Sequence, residues 1–156
     1  MERLNSILQW FESKIAAVLI SCMLILGFLQ VFSRFILKSP IPWTEAMLTY
    51  MFVWFSFIGA SLAVAEKAHF SVEIVVARFN PLLRRCAEIL VEILIISLAV
   101  LMIYKGMVLV LENRNQLMAA MPFTMSWPYL ALPVSGLFII IHALTHIIRL
   151  LNTGGE

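Results

Sequence analysis

Uncharged apolar stretches divide the chain into segments that are long enough to cross a membrane. A helix needs about 20 apolar residues to span the hydrocarbon layer. Lys14 and Arg34 enclose 19 uncharged residues, and Glu45 and Glu66 enclose 20. These two stretches predict the first two membrane-spanning helices.

Two further spans are predicted although their patterns are interrupted. Glu92 and Lys105 fall inside the third apolar segment, so they have to reach the interfaces or pack against protein. Pro133 lies in the early turns of the fourth segment and predicts a kink, because proline removes a backbone hydrogen bond. The predicted spans cover about 15–35, 45–66, 86–111 and 127–149.

Two segments have the spacing of amphipathic helices that lie at the membrane interface. In residues 2–13, apolar side chains recur with helical periodicity, while polar residues such as Asn5 fall elsewhere. The stretch 70–79 has similar spacing, although its β-branched residues weaken the helical signal. The predicted fold is therefore all-α: one integral membrane domain over 1–156, with four spans and interfacial helices.

Composition agrees with this prediction and excludes several other classes of protein. Hydrophobic residues make up 62% of the chain and charged residues 13%, against roughly 45–50% and about 25% in a soluble domain. A net charge of +2 gives no indication of nucleic-acid binding. Cys22 and Cys86 lie in apolar surroundings and are interpreted as packing residues.

The distribution of lysine and arginine predicts the orientation in the membrane. Seven of these residues fall on the side that holds both termini, and four fall on the other side. Because cytoplasmic loops carry the excess of Lys and Arg, both termini are predicted to be cytoplasmic.

His142 and His146 are the first candidates for chemistry, since they lie four residues apart on one helical face. A metalloprotease motif would have a glutamate after the first histidine, but Ala143 stands there. Haem would need a facing histidine on another span, and His69 lies in a loop. We therefore interpret the pair as interfacial side chains near Arg149, and expect no metal and no cofactor.

Glu88, Glu92 and Trp54 are the next candidates. Carboxylates within a membrane are candidate proton or cation sites, but Arg84 and Arg85 are spaced to pair with Glu88 at the interface. Glu92 lies one turn deeper in the membrane, and both a structural role and a role as a proton or cation site are left open for it. Trp54 falls near the middle of the second span, where its N–H is expected to find a partner on another helix.

Small residues on the second span form two pairs with a spacing of four, Ser56 with Ala60 and Gly59 with Ala63. Such pairs allow two helices to approach closely. The sequence shows no nucleophile–base pair and no glycine-rich phosphate loop, so an enzyme is not expected.

A longer pattern resembles a known family. After the first span comes Arg34, followed by Trp43-Thr44-Glu45, then Trp54, then Gly59-Ala60-Ser61. His69 and Glu73 follow in the middle loop, and Met121-Pro122 leads to Trp127 and Pro133. In order and spacing, these elements resemble the small membrane subunit of TRAP (tripartite ATP-independent periplasmic) transporters, across essentially the whole chain.

The resemblance implies a partnership rather than an independent activity. In such systems a periplasmic binding protein captures an organic acid, such as sialic acid or a C4-dicarboxylate. A large membrane subunit carries the substrate and sodium sites. The small subunit packs beside it as a heterodimer and scaffold in contact with membrane lipid. The resemblance implies assembly roles for Arg34, Trp43, Glu45 and Trp54, and a role for His69 and Glu73 in fixing the cytoplasmic loop.

Two alternatives stay open at this point. A haem-bearing electron-transfer subunit would use His142 or His146, and its preparation would show a Soret band. A small proton-coupled exporter would use Glu92 and would transport without any partner.

Overall fold

The computed structural model describes residues 2–39, 41–66, 81–118 and 121–152. These residues form five helices: α1 (Glu2–Phe35), α2 (Pro42–Ala65), α3 (Pro81–Glu112), α4 (Ser126–Tyr129) and α5 (Ala131–Asn152). Four stretches of them are long and apolar enough to span a membrane, with α4 and α5 together forming the fourth. The described residues hold no strand beyond one isolated bridge, between Leu117 and Thr124, and the predicted all-α class is confirmed.

Helix α5 is the centre of the bundle. It packs most extensively against α3, also against α2, and less extensively against α1, while α1 and α2 pack on each other. In the most apolar part of the fourth stretch, half of the residues are buried. In the corresponding parts of the other three stretches, only 6–11% are buried. The other helices therefore turn most of their apolar surface outward, as expected of a protein whose solvent is lipid.

The first helix differs from the prediction. Residues 2–13 are helical, but they continue into the first span without a break, and α1 is 34 residues long. At 1.5 Å per residue this is about 50 Å, well beyond the roughly 30 Å of a hydrocarbon layer. Residues 2–13 are therefore helical as predicted, but they are the first turns of α1 and not a separate helix. Asn5 and Glu12 on these turns are buried inside the bundle. The second predicted interfacial segment, 70–79, lies outside the described residues.

A proline lies close to the point where the helix of the fourth span is divided. The helix is interrupted at Leu130, between α4 and α5. Pro133 has no N–H to donate to the carbonyl of Tyr129, so one helical hydrogen bond is missing there. The backbone at Leu130 keeps helical dihedral angles (φ −60°, ψ −21°).

Glycines on α3 and α5 let these two helices approach closely. A Cβ atom on Gly136 would lie 2.8 Å from Ile103 Cγ1 and 3.0 Å from the Ala99 carbonyl oxygen. A Cβ atom on Gly106 would lie 2.7 Å from Leu132 Cβ. The small residues predicted on α2 behave differently: Ser56, Ala60 and Ala63 are exposed, and a Cβ on Gly59 would meet nothing within 4 Å.

Candidate functional site

A buried polar cluster joins three helices on the side of the bundle that holds both termini. Glu12 on α1, Ser61 on α2 and His142 on α5 are each 0% exposed. The Ser61 hydroxyl donates to Glu12 Oε1 at 2.7 Å, and His142 Nε2 lies 3.0 Å from Glu12 Oε2. Asn5 completes the cluster, with its Oδ1 atom 2.5 Å from His142 Nδ1.

Each carboxyl oxygen of Glu12 and each ring nitrogen of His142 in this cluster has a hydrogen-bond partner. Both ring nitrogens of His142 face an oxygen atom. An imidazole nitrogen facing an acceptor has to carry or receive a proton. One proton therefore lies between His142 Nε2 and Glu12 Oε2, whichever of the two atoms holds it.

A second histidine–glutamate pair lies one helical turn further along α5. His146 Nδ1 is 3.1 Å from Glu92 Oε1 on α3, and both residues are buried. The other carboxyl oxygen, Glu92 Oε2, is buried without a hydrogen-bond partner in the part of the chain that the structure describes. The second pair is therefore less completely satisfied than the first.

Together the two pairs connect every long helix to α5. His142 reaches α1 and, through Glu12, α2, while His146 reaches α3. Buried ionisable pairs are costly to desolvate, but removing one partner is worse because a buried charge is left uncompensated. The arrangement thus fixes which faces of the four helices meet.

The geometry does not favour catalysis. In a Ser–His–carboxylate triad the histidine contacts the serine hydroxyl, but here Glu12 lies between Ser61 and His142. Ser61 and His142 are completely buried, so no substrate can reach them. Among the described residues, no group of three or more His, Cys, Asp or Glu side chains is placed to hold a metal ion.

The prediction for the two histidines was therefore wrong. They are not interfacial side chains, since His142 is 0% and His146 is 3% exposed. Glu12 was not among the predicted site residues, and Asn5 was predicted on the polar side of an interfacial helix. The sequence did contain a signal for these pairs. In a four-span topology, Glu12 and Glu92 fall on the same side of the membrane as both histidines, so they are possible partners for them.

The other predicted site residues are dispersed. Arg34 is exposed in the last turn of α1, and Glu45 is exposed in the first turn of α2. The positive charge of Arg34 lies at the negative end of the α1 dipole, and the negative charge of Glu45 lies at the positive end of the α2 dipole. Within the described residues, the two side chains form no ion pair with each other. Trp43 is 39% exposed. His69 and Glu73 lie outside the described residues, so their roles stay predictions.

Trp54 has the interhelical partner that was predicted. Its Nε1–H donates to the backbone carbonyl of Trp127 on α4 at 3.1 Å. Both residues line a cavity of about 390 Å³ between α2, the segment before α4 and α1. The lining is formed by apolar and aromatic side chains, namely Leu19, Met47, Tyr50, Met51, Trp54, Met118, Met121, Phe123, Trp127 and Pro128.

We expect Trp54→Phe to lower the free energy of unfolding by about 1 kcal/mol, because the aromatic packing is kept while the hydrogen bond is lost. Thermal unfolding of the full chain in detergent would measure this. Trp43→Phe is the matched control, since no hydrogen bond of Trp43 Nε1 is found among the described residues. Equal effects of the two variants would show that the Trp54–Trp127 bond contributes nothing.

Comparisons with known proteins identify the family. Residues 23–153 match the family model described as tripartite ATP-independent periplasmic transporters, DctQ component. A Haemophilus influenzae chain that carries the name of a TRAP transporter small permease protein is 26% identical over 130 residues, covering 83% of this chain and 81% of the relative. The sialic acid TRAP transporter small permease protein of Vibrio cholerae is 21% identical over 152 residues, covering 97% and 88%.

A third relative is much longer than this chain. The isethionate TRAP transporter permease protein DctMQ of Oleidesulfovibrio alaskensis is 26% identical over 95 residues, which are 60% of this chain but 15% of that protein. The match to the family model covers most of the sequence, including α2, α3, α4 and α5. The chain belongs to the DctQ component family, the small membrane subunits of tripartite ATP-independent periplasmic transporters.

Proposed function

We propose that this chain is a scaffold for a large transport subunit, in sodium-coupled and binding-protein-dependent uptake of an organic acid. The observation that carries the proposal is the existence of long relatives that contain the small subunit. In DctMQ and in the sialic acid TRAP transporter permease protein SiaT of Haemophilus influenzae, the matched part is 15% and 21% of the polypeptide. In these relatives the part similar to this chain is covalently joined to the rest of the transporter. We infer that a separate small subunit such as this chain forms a stable heterodimer with its large subunit.

The described residues also supply little that could bind an organic anion themselves. The two buried histidines are both engaged by glutamates. The cavity beside Trp54 has an apolar lining without a cationic side chain, whereas anion sites use Arg, Lys or oriented N–H groups. Substrate and sodium sites are therefore assigned to the large subunit.

The substrate class is proposed from the names of relatives. One relative is named for sialic acid, a carboxylate, and another for isethionate, a sulfonate. We favour a carboxylate such as sialic acid or a C4-dicarboxylate, received from a periplasmic binding protein. The chain itself is proposed to be neither an enzyme nor a cofactor protein.

The proposed location is the bacterial inner membrane, with both termini in the cytoplasm. The asymmetric distribution of Lys and Arg supports this orientation. Arg34, Trp43 and Glu45 would then lie near the periplasmic face, and the loop with His69 and Glu73 near the cytoplasmic face. We propose that the first three act in assembly and the last two fix the cytoplasmic loop.

We expect Trp43→Ala and Glu45→Ala to reduce transport by weakening assembly. Both side chains lie in the first turn of α2 and are exposed or partly exposed in the isolated chain, so they are accessible to a partner. The measurement is the amount of large subunit that co-purifies with each tagged variant, beside substrate uptake. Lost uptake with unchanged co-purification would contradict the assembly role.

The deciding experiment is to co-express the tagged chain with its chromosomal neighbours and identify what stays bound after detergent extraction. A one-to-one complex with a large membrane protein, active in sodium-dependent uptake when a periplasmic binding protein is added, supports the proposal. Uptake or efflux by this chain alone, abolished by Glu92→Gln, would replace it with the exporter. A Soret band in the purified chain would favour the electron-transfer subunit.

A further inference from the structure

We propose that the outer face of α1 near the N-terminus binds the headgroup of an anionic membrane phospholipid. Six side chains line a groove of about 390 Å³ on this face: Ser6, Gln9, Trp10, Ser13, Lys14 and Ala17. The groove is separate from the buried histidine–glutamate pairs.

The lining combines a cation with an aromatic ring and polar groups. Lys14 Nζ lies 5.7 Å from the centroid of the Trp10 ring, which is 63% exposed. The two residues are four apart, so they stand on the same face of the helix. Ser6 and Gln9 place a hydroxyl and an amide group beside them, which can donate to the oxygens of a phosphate diester. The Ser13 hydroxyl donates to the backbone carbonyl of Gln9 at 2.8 Å, so it can only accept from a headgroup donor.

The depth of the groove fits a headgroup. Lys14 is the last charged residue before the 19 uncharged residues 15–33, so it marks where the hydrocarbon layer begins. Lysine near a helix end extends towards the interface while its methylene groups stay in the apolar layer. Tryptophan is enriched at the same level. The groove therefore begins in the hydrocarbon and ends among the phosphates.

Charge complementarity selects an anionic ligand. Glu12 is two residues from Lys14, or about 200° around the helix, and it is turned into the bundle towards His142. Among the side chains that the structure describes, no carboxylate is within 4.0 Å of Lys14 Nζ. The positive charge on the outer face is thus available to a lipid phosphate, and one lysine near a membrane surface contributes about a fivefold gain in binding of anionic lipid.

The test measures lipid binding by the purified chain with native mass spectrometry. The protein is offered an equimolar mixture of phosphatidylglycerol and phosphatidylcholine with the same acyl chains. We expect the protein to retain phosphatidylglycerol about fivefold over phosphatidylcholine. Lys14→Gln should abolish this preference, and Lys14→Arg should keep it. Lys105→Gln is the matched control, because Lys105 is also exposed and lies 5.5 Å from the ring of Tyr104.

Three results would overturn the proposal. In a first case, Lys14→Gln would retain phosphatidylglycerol like the natural chain. In a second case, Lys105→Gln would lose as much preference as Lys14→Gln, which would show unspecific attraction by any exposed lysine. In a third case, adding the large subunit would remove the Lys14-dependent preference, and the face would be a protein interface instead. Thermal unfolding of each variant would establish that loss of lipid is not loss of fold.

Discussion

Replacing His142 with leucine is expected to lower the free energy of unfolding by about 3–5 kcal/mol. The substitution leaves the carboxyl group of Glu12 buried at 0% exposure, with Ser61 as its remaining partner. Breaking a buried pair by removing one member costs this much because the other member stays in a low-dielectric interior without compensation. Asn5 loses its partner in the same variant.

A double-mutant cycle separates this penalty from the loss of packing. Glu12→Leu together with His142→Leu replaces both members by apolar side chains and removes the uncompensated charge, while the neutral groups of Ser61 and Asn5 each lose one partner. Such replacements of buried ion pairs are often neutral or even stabilising. We therefore expect the double variant to recover most of the stability that His142→Leu loses, with a coupling energy above 1 kcal/mol.

Thermal unfolding in detergent, monitored by tryptophan fluorescence, would measure His142→Leu, Glu12→Leu and the double variant. Glu12→Gln tests the hydrogen bonds more gently, because glutamine keeps an oxygen and an amide group at the same place. Leu144→Ala is a control on the same helix, since Leu144 is 41% exposed. If His142→Leu were no more harmful than this control, the cluster would not hold the helices together.

The four spans were predictable because their signal is local. Residues 15–33 and 46–65 carry no charge, and a helix is the simplest structure that satisfies every backbone hydrogen bond of such a stretch in lipid. The effect of Pro133 is local for the same reason, since it depends on one missing N–H: a kink was predicted there, and the helix is divided at Leu130. Neither prediction required knowledge of which helices are neighbours.

The buried pairs were not predicted because they depend on neighbours. Asn5 and Glu12 belong to a helical pattern that is compatible with a water-facing polar side, and only the packing of α1 on α5 turns them inward. His142 and His146 have the same ambiguity. Four helices can be arranged around one another in several ways, and the sequence of a single chain does not state which glutamate faces which histidine.

Small residues show the same limit. The pairs on α2 have the spacing that lets helices approach, yet Ser56, Ala60 and Ala63 face outward in the described chain. The close approach is made instead by Gly106 and Gly136, between α3 and α5. Spacing identifies a face that permits contact, and the rest of the bundle decides whether contact occurs within the subunit.

That difference makes the glycines testable. We expect Gly136→Ala to lower the free energy of unfolding by about 1–3 kcal/mol, the usual cost of overpacking. The new Cβ would lie 3.0 Å from the Ala99 carbonyl oxygen, which belongs to the helix backbone and cannot rotate away. Helices α3 and α5 would have to separate, and with them the Glu92–His146 pair that joins the same two helices.

Gly59→Ala is the matched control for this prediction. Its Cβ would meet nothing within 4 Å, and alanine is favoured over glycine in helices by up to about 1 kcal/mol. We expect the control to be neutral or slightly stabilising in the isolated chain, when both variants are compared by thermal unfolding. If Gly136→Ala proved as stable as Gly59→Ala, the close packing of α3 on α5 would be wrong, and the pairing of His146 with Glu92 would lose its support.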